Sequence, residues 1–302
     1  SIHVVDPELR PGDSRVADFP AVMLHDSTPK LLDCVTPDMA IVATPASTHG
    51  DIALGLLDAG VSVLIEKPFG LNGDQIEAAR EFEKQGLVVA AGYLYAYNPI
   101  VASAKDLIGS GQYGPLVFIE SLREGFGAFR RDVNVIRDLM VHDISICIEL
   151  LEGHRFVVQN ATLEISLNTG HYAEAEAHLV TSSGVRARLI ASQARPSKTR
   201  RTTLVFERAV AVLDENDAIS PVRAFQLPVG LIGQDDVEQL TGDEYPQLVE
   251  IEGAPSGTDS PRKTLFLSIS AFVEAVLVGA KNYRGIAFAE KVDKIARDIE
   301  SR

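Results

Sequence analysis

The sequence predicts an α/β protein: a parallel sheet of doubly wound type, followed by an α+β half built on a large open antiparallel sheet. Three observations carry this prediction. Residues 39–68 spell strand, turn, helix, turn, strand. From Ala161 onward the texture changes to alternating polar and apolar residues, the signature of antiparallel strands with one covered face. The chain has 302 residues, which at about 150 residues per domain gives two domains. We expect them at residues 1–98 and 99–302.

The first unit rests on the stretch from Met39 to Pro68. Met39 to Ala43 is a short apolar run that stops at Thr44-Pro45. Ser47 or Thr48 can cap the helix that follows, with Asp51 in its first turn, where the helix dipole favours an acid. Ile52, Leu56 and Ala59 recur on one helical face, and Gly60 suits the left-handed position just past a helix end. Val61 to Ile65 is a second run, apolar except for Ser62, as a strand covered on both faces requires. Such a unit is a right-handed crossover, and ligands of these sheets bind at the carboxyl ends of the strands. Those ends are Thr44-Pro45 and Glu66-Lys67-Pro68.

The run Ala43-Thr44-Pro45 with His49, followed by Glu66-Lys67-Pro68, resembles the glucose–fructose oxidoreductase and inositol dehydrogenase (Gfo/Idh/MocA) family. The resemblance implies a Rossmann-type domain binding NAD, with Lys67 beside the nicotinamide and the reacting hydroxyl. It also implies a cis peptide before Pro68, and cofactor contacts at Thr44, Pro45, His49, Glu66, Lys67 and Asn98. Ser1 to Asp6 reads as the second strand of such a fold, with Asp6 accepting hydrogen bonds from the adenosine ribose; a carboxylate there favours NAD over NADP. An Asp-Pro turn is the simpler structural reading of the same residue. The strand and G-x-G-x-x-G turn that should precede Asp6 are not in the sequence, so the expectation is that it begins about 25–30 residues into such a domain. Gly109, Gly111 and Gly114 do match the glycine spacing. They follow a helical stretch and precede a strand, the reverse of what a phosphate cradle needs.

Next come a helix over 72–85, a strand over 87–91 and the segment GYLYAYNP ending at Pro99. The family's spelling has Arg where this chain has Ala96, which leaves Tyr95 and Asn98 as the polar candidates there. From Ile136 apolar residues recur at helical spacing, and Asp138, His142, Ser145 and Glu149 form a polar stripe on another face. A solvated stripe is one reading; the other is that Asp138 orients the His142 imidazole beside a substrate. The resemblance favours the second, since the family carries Asp and His four apart at this place. The wording RDVNVIRDLMVHDI is similar to members that oxidise nucleotide-linked amino sugars, such as UDP-N-acetylglucosamine 3-dehydrogenases.

Three strands follow in ATLEISLN, YAEAEAHLVTS and GVRARLIASQA; the resemblance implies that their sheet makes the contacts of a homodimer or homotetramer. Val205 to Leu213 adds strands, Gly230 to Ser260 reads as a long excursion, and the chain closes with helices over 265–278 and 287–299. Arg195 to Arg201 holds four cations in seven residues. A solvated cluster is one reading, and a site for the diphosphate of a nucleotide sugar, through Arg200 and Arg201, is the other. Arg123 is a further candidate at the substrate.

Composition limits the alternatives. A net charge of -14 argues against nucleic acid as partner, and no apolar run is long enough to span a membrane. The two cysteines, Cys34 and Cys147, stand in no metal-binding spacing and read as buried, reduced thiols of a cytoplasmic protein. The expected chemistry is NAD-linked oxidation of a secondary hydroxyl on a sugar. His142 is the base, Asp138 its orienter and Lys67 the hydroxyl donor, with the roles of Lys67 and His142 exchangeable. A cleft between the domains would bring the two together. Two other readings share the fold: a catalytically silent sensor or scaffold, and a reductase of a non-sugar carbonyl.

Overall fold

The computed structural model describes all residues except 20, 128, 130–132, 166–169, 228–246 and 250–260. By its internal contacts the chain divides into two units. Ser1–Gly92 with Ala271–Ile286 form the first, and Tyr93–Ser270 with Ala287–Arg302 form the second. The break falls six residues before the expected residue 98, and residues 271–286 return to the first unit. The reason is packing. Phe272 and Ala275 are buried against Leu64, Val88 and Ala90, with Met39, Val276 and Tyr283 around them. Gly285 also forms an antiparallel bridge with Ala90. Covering the sheet's apolar face outweighs chain order.

In the first unit, β1 (Ile2–Val5) pairs in parallel with β2 (Val22–His25), and α1 (Thr28–Leu32) follows. β3 (Met39–Val42), β4 (Ser62–Glu66) and β5 (Val89–Gly92) form a separate parallel sheet in that order. Among the described residues no strand pairs with both β1 and β3. α2 (His49–Asp58) is entered through a 3₁₀ turn at Ala46–Thr48, and Gly60 takes φ 81° just beyond its end. Thr48 occupies the N-cap without a side-chain cap bond, because its hydroxyl donates to the Pro45 carbonyl and meets Thr44 Oγ1. α3 (Gly73–Lys84) begins with a capping box between Asn72 and Gln75. Cys34 is exposed just past α1, not buried as expected; only Cys147 is buried.

The second unit begins with Tyr93 and a 3₁₀ turn at Leu94–Tyr97, then α4 (Pro99–Ser110). Gly111 closes α4 at φ 64°, confirming that this glycine run ends a helix. β6 (Leu116–Phe126) leads to a π-helical turn at Ile136–Met140, which continues as α5 (Val141–Leu150). β7 (Phe156–Ile165), β8 (Tyr172–Thr181), β9 (Arg186–Ser192), β10 (Ala194–Phe206), β11 (Ala209–Asp214), β12 (Val222–Gln226) and β13 (Gln247–Val249) complete an eight-stranded sheet with β6. Its order is β13-β12-β11-β10-β6-β9-β8-β7. The sheet is mixed rather than wholly antiparallel, since β6 and β9 run parallel at its centre. Of the expected excursion at 230–260, only Gln247–Val249 lies within the described residues. α6 (Pro261–Val278) and α7 (Ile286–Glu300) end the fold. Among the described residues no helix is long and apolar enough to cross a membrane.

Candidate active site

In the first unit the sequence candidates gather at the carboxyl ends of β3 and β4. Val61 to Ile65 is fully buried, so the strand delivers Glu66 and Lys67 at a fixed point where burial gives way to partial exposure. The Lys67–Pro68 peptide is cis. His49, 1% exposed, lies between two carbonyls: its Nδ1 is 3.0 Å from the Pro68 oxygen and its Nε2 2.8 Å from the Thr44 oxygen. The imidazole expected at the cofactor is therefore a buried tie between the two strand ends that carry Thr44 and Lys67. Gly70, at φ 74°, brings the turn after Pro68 so close that a Cβ there would stand 2.9 Å from the Ala46 oxygen. Gly92 plays a similar part at the end of β5, where a Cβ would meet the Glu66 Cα at 3.0 Å. These approaches make the shelf of strand ends on which a dinucleotide lies in such sheets.

Asp6 ends β1 as expected, and its Oδ1 accepts the backbone N–H groups of Glu8 (2.7 Å) and Leu9 (3.3 Å). The Asp-Pro turn is thus real, and a ribose contact would fall to Oδ2. Asn98, expected at the cofactor, is 6% exposed and caps α4 by accepting the Ile100 N–H at 2.9 Å. Its side chain serves the fold.

In the second unit the polar stripe is not solvated. Every residue of α5 is buried, with His142 7%, Ser145 0% and Glu149 9% exposed. Burial of polar groups favours partners: Ser145 Oγ donates to the His142 carbonyl (2.6 Å) and Lys105 to Glu149 (3.0 Å). His142 meets the edge of the Tyr95 ring, centroids 4.7 Å apart. Asp138 sits in the π turn, one turn before His142, and its Oδ2 accepts from Gln193 Nε2 at 3.0 Å.

Arg123, expected at the substrate, is held inside the second unit. Its side chain is 2% exposed, and its Nε donates to both Asp143 oxygens, at 3.0 and 2.9 Å. One terminal nitrogen reaches Glu215 at 3.2 Å, and the guanidinium carbon lies 4.3 Å from the Tyr95 ring centroid. Ser121 Oγ donates to Asp143 at 2.8 Å and meets Thr202 Oγ1 at 3.1 Å. Burial works against the Arg123 charge, but Asp143 and Glu215 outweigh it and its pKa is raised. Burial also raises the pKa of Glu215 and of the Tyr95 phenol, with Arg123 opposing both. Arg200, the neighbour of Arg123 across the β6–β10 pair, has its pKa lowered by burial and then by the Arg123 charge.

Arg200 and Arg201 cannot share one diphosphate in this strand. They are consecutive residues of β10, whose side chains alternate between faces. Arg200 lies on the face of buried Thr202 and Leu204, donating to the carbonyls of Glu124 and Thr199. Arg201 lies on the other face, paired with Asp214 at 3.0 Å. Arg195 is likewise paired, with Glu174 at 2.6 Å.

Sequence reasoning missed Asp143, Glu215, Ser121, Thr202 and Gln193. One signal was available. Ser121 and Arg123 occupy inward positions of β6, in step with buried Ile119, and an inward polar pair announces a buried partner. That the partner is Asp143, on a helix, is a tertiary fact.

Residues 2–93 match the family model described as an oxidoreductase family with an NAD-binding Rossmann fold. The scyllo-inositol 2-dehydrogenase (NAD(+)) of Bacillus subtilis (strain 168) is 27% identical over 53% of this chain and 49% of its own length. The UDP-N-acetylglucosamine 3-dehydrogenase of Acidithiobacillus ferrooxidans is 29% identical over 59% of this chain and 55% of its own. The chain thus spans about half the length of these curated relatives in the matched regions. A solved structure of the Acidithiobacillus enzyme superimposes with a TM-score of 0.73 at 23% identity, covering 95% of this chain and 84% of that one. At that identity the likeness speaks for the fold alone.

Proposed function

We propose that the chain is an NAD-dependent dehydrogenase oxidising a secondary hydroxyl of a sugar, with a nucleotide-linked amino sugar as its substrate. The observation that carries this reading is Lys67, set at the carboxyl end of a buried parallel strand within the segment that matches the family model. Asp6, Thr44, Pro45 and Glu66 supply the strand-end surface that would hold NAD, and NAD when bound accepts a hydride. The chain's own groups handle the proton. His142 is the base for the substrate hydroxyl, Asp138 keeps the imidazole oriented, and Lys67 is a hydrogen-bond donor to the substrate. Tyr95 fills the side of His142 and excludes water from it.

Nucleotide sugars enter this reading through the wording of residues 131–144, the similarity to the Acidithiobacillus enzyme and one cation, Arg200. A charged contact to phosphate contributes about 1.5–3 kcal/mol, so Arg200→Ala is expected to raise the Michaelis constant for UDP-N-acetylglucosamine about 10- to 150-fold. Arg201→Ala, on the opposite face and paired with Asp214, is expected to leave it unchanged. The assay follows NADH formation. Free N-acetylglucosamine serving as well as its UDP form would overturn the substrate class.

The reading includes self-association through the outer face of the sheet. Phe118, Val205, Val210 and Phe225 align across β6, β10, β11 and β12 as register partners, and all four are partly exposed. Such a row is the kind of apolar surface that a second copy covers. Sedimentation should show a dimer or tetramer that Phe118→Glu shifts toward monomer; a monomeric parent protein would end this part of the reading.

A further inference from the structure

We propose that Glu300, on α7, is a positioning residue for Asp138, acting through Arg137 and Asn134. The inference rests on the reading above, in which Asp138 orients His142.

Asp138 lies in a π-helical turn, a geometry rare enough that something outside the turn has to hold it. Here one carboxylate does so. Glu300 Oε1 accepts from Asn134 Nδ2 and from Arg137 Nε, both at 2.9 Å, and Oε2 accepts from Arg137 Nη2 at 2.6 Å. The loop is closed within the turn itself. Asn134 Oδ1 accepts the Arg137 N–H at 3.0 Å, and the Asn134 carbonyl accepts the Asp138 N–H at 2.9 Å. The remaining terminal nitrogen of Arg137 pairs with Asp293, which also takes Arg297. These groups are sheltered: the Arg137, Asp293 and Glu300 side chains are 19%, 17% and 24% exposed. Ion pairs held in this way count for more than free surface pairs. Their support is rigid as well, since Ala289, Val292, Ile295, Ala296 and Ile299 anchor α7 in the core.

From the other side, buried Gln193 donates to the Asp138 carboxylate. Asp138 is thus fixed in its backbone by the Glu300 clamp and in its side chain by Gln193. If the clamp is released, the turn can slip by one residue to the ordinary helical pattern. A slip of one residue turns a side chain by about 100° about the helix axis, which carries Asp138 off the line of His142. Arg137 has no contact with the proposed substrate groups among those described here; its fork converts the position of α7 into the orientation of the turn.

The test compares Glu300→Gln, Arg137→Lys and the exchanged pair Arg137→Glu/Glu300→Arg with the parent protein, on NAD and UDP-N-acetylglucosamine. Glu300→Gln keeps an acceptor but loses the charge, and Arg137→Lys keeps the charge but loses the fork. Each is expected to lower kcat by up to about 10²-fold, the effect of misplacing a catalytic group from a distance. The KM for NAD should stay unchanged, and the acid limb of the kcat–pH profile should move. The exchanged pair should recover most of the loss. Gln193→Leu, which leaves α7 untouched, should move the same limb in the same direction, and it keeps the test open should the clamp variants fold poorly. If the clamp variants lower the melting temperature while kcat and the pH profile stay put, Glu300 merely staples α7 and the inference is wrong. His142→Ala separates the two levels: full activity in that variant indicts the catalytic reading, whatever the clamp variants do.

Discussion

Lys67→Met and His142→Ala are each expected to lower turnover by about 10²–10⁴, the usual loss when a general acid or base is removed. Affinity for the cofactor should change little. The expectation follows from where the two groups are held. Lys67 follows a strand with no exposed residue between Val61 and Ile65, and the carbonyl of the next residue is gripped by His49. His142 lies on a helix buried all round, with Tyr95 against its ring. A solvated lysine or histidine changes stability by about 0.5 kcal/mol or less when replaced and leaves catalysis alone. Burying an imidazole and fixing a lysine at a strand end serve no such role. Steady-state kinetics, with NAD binding measured separately by fluorescence, decide the matter. Turnover within twofold of the parent in either variant removes that residue from the chemistry.

Asp143→Ala is expected to destabilise the protein by about 3–5 kcal/mol, because it leaves the Arg123 cation buried with its main partner gone. At the usual dependence for a unit of this size, that lowers the melting temperature by roughly 6–20 °C. Arg123→Met should cost a similar amount near neutral pH, but the two variants should part as the pH falls. In Arg123→Met two carboxyls, buried Asp143 and part-buried Glu215, lose their cation. Burial already raises the pKa of Glu215 while Arg123 opposes the rise, so removing Arg123 raises it further. A carboxyl whose folded pKa exceeds its unfolded value binds a proton more tightly when folded, so the variant regains stability as the pH falls through that folded pKa. Asp143→Ala has no such rescue, since a guanidinium does not give up its proton. Thermal denaturation at pH 7 and pH 5 measures both deficits. Equal deficits at the two pH values in Arg123→Met would show that Arg123 is not the counter-charge of these carboxyls. The double variant Arg123→Met/Asp143→Leu should lose less than the sum of the single losses, as coupled buried partners do.

What the sequence determined by itself was local and periodic. The crossover from Met39 to Pro68, the glycine that ends α2, the glycine run that ends α4 and the alternating strands after Ala161 are all set by neighbours within a few residues. Backbone preference and one-sided burial act over that range. The motif around Lys67 was legible through its resemblance to the family's spelling, and helical spacing placed Asp138 and His142 on one stripe, whose functional reading came from the same resemblance. What only the tertiary structure decided depends on residues far apart in the chain. Arg123 is buried on the inward face of β6, and its partners Asp143 and Glu215 come from a helix and from the turn after β11. A stripe of polar residues reads the same whether water or protein lies over it; burial of the whole of α5 settles that question. The cluster at Arg195–Arg201 looked like one anion site because sequence is one-dimensional. In a pleated strand Arg200 and Arg201 face opposite ways, and two adjacent cations on a line become two separate environments.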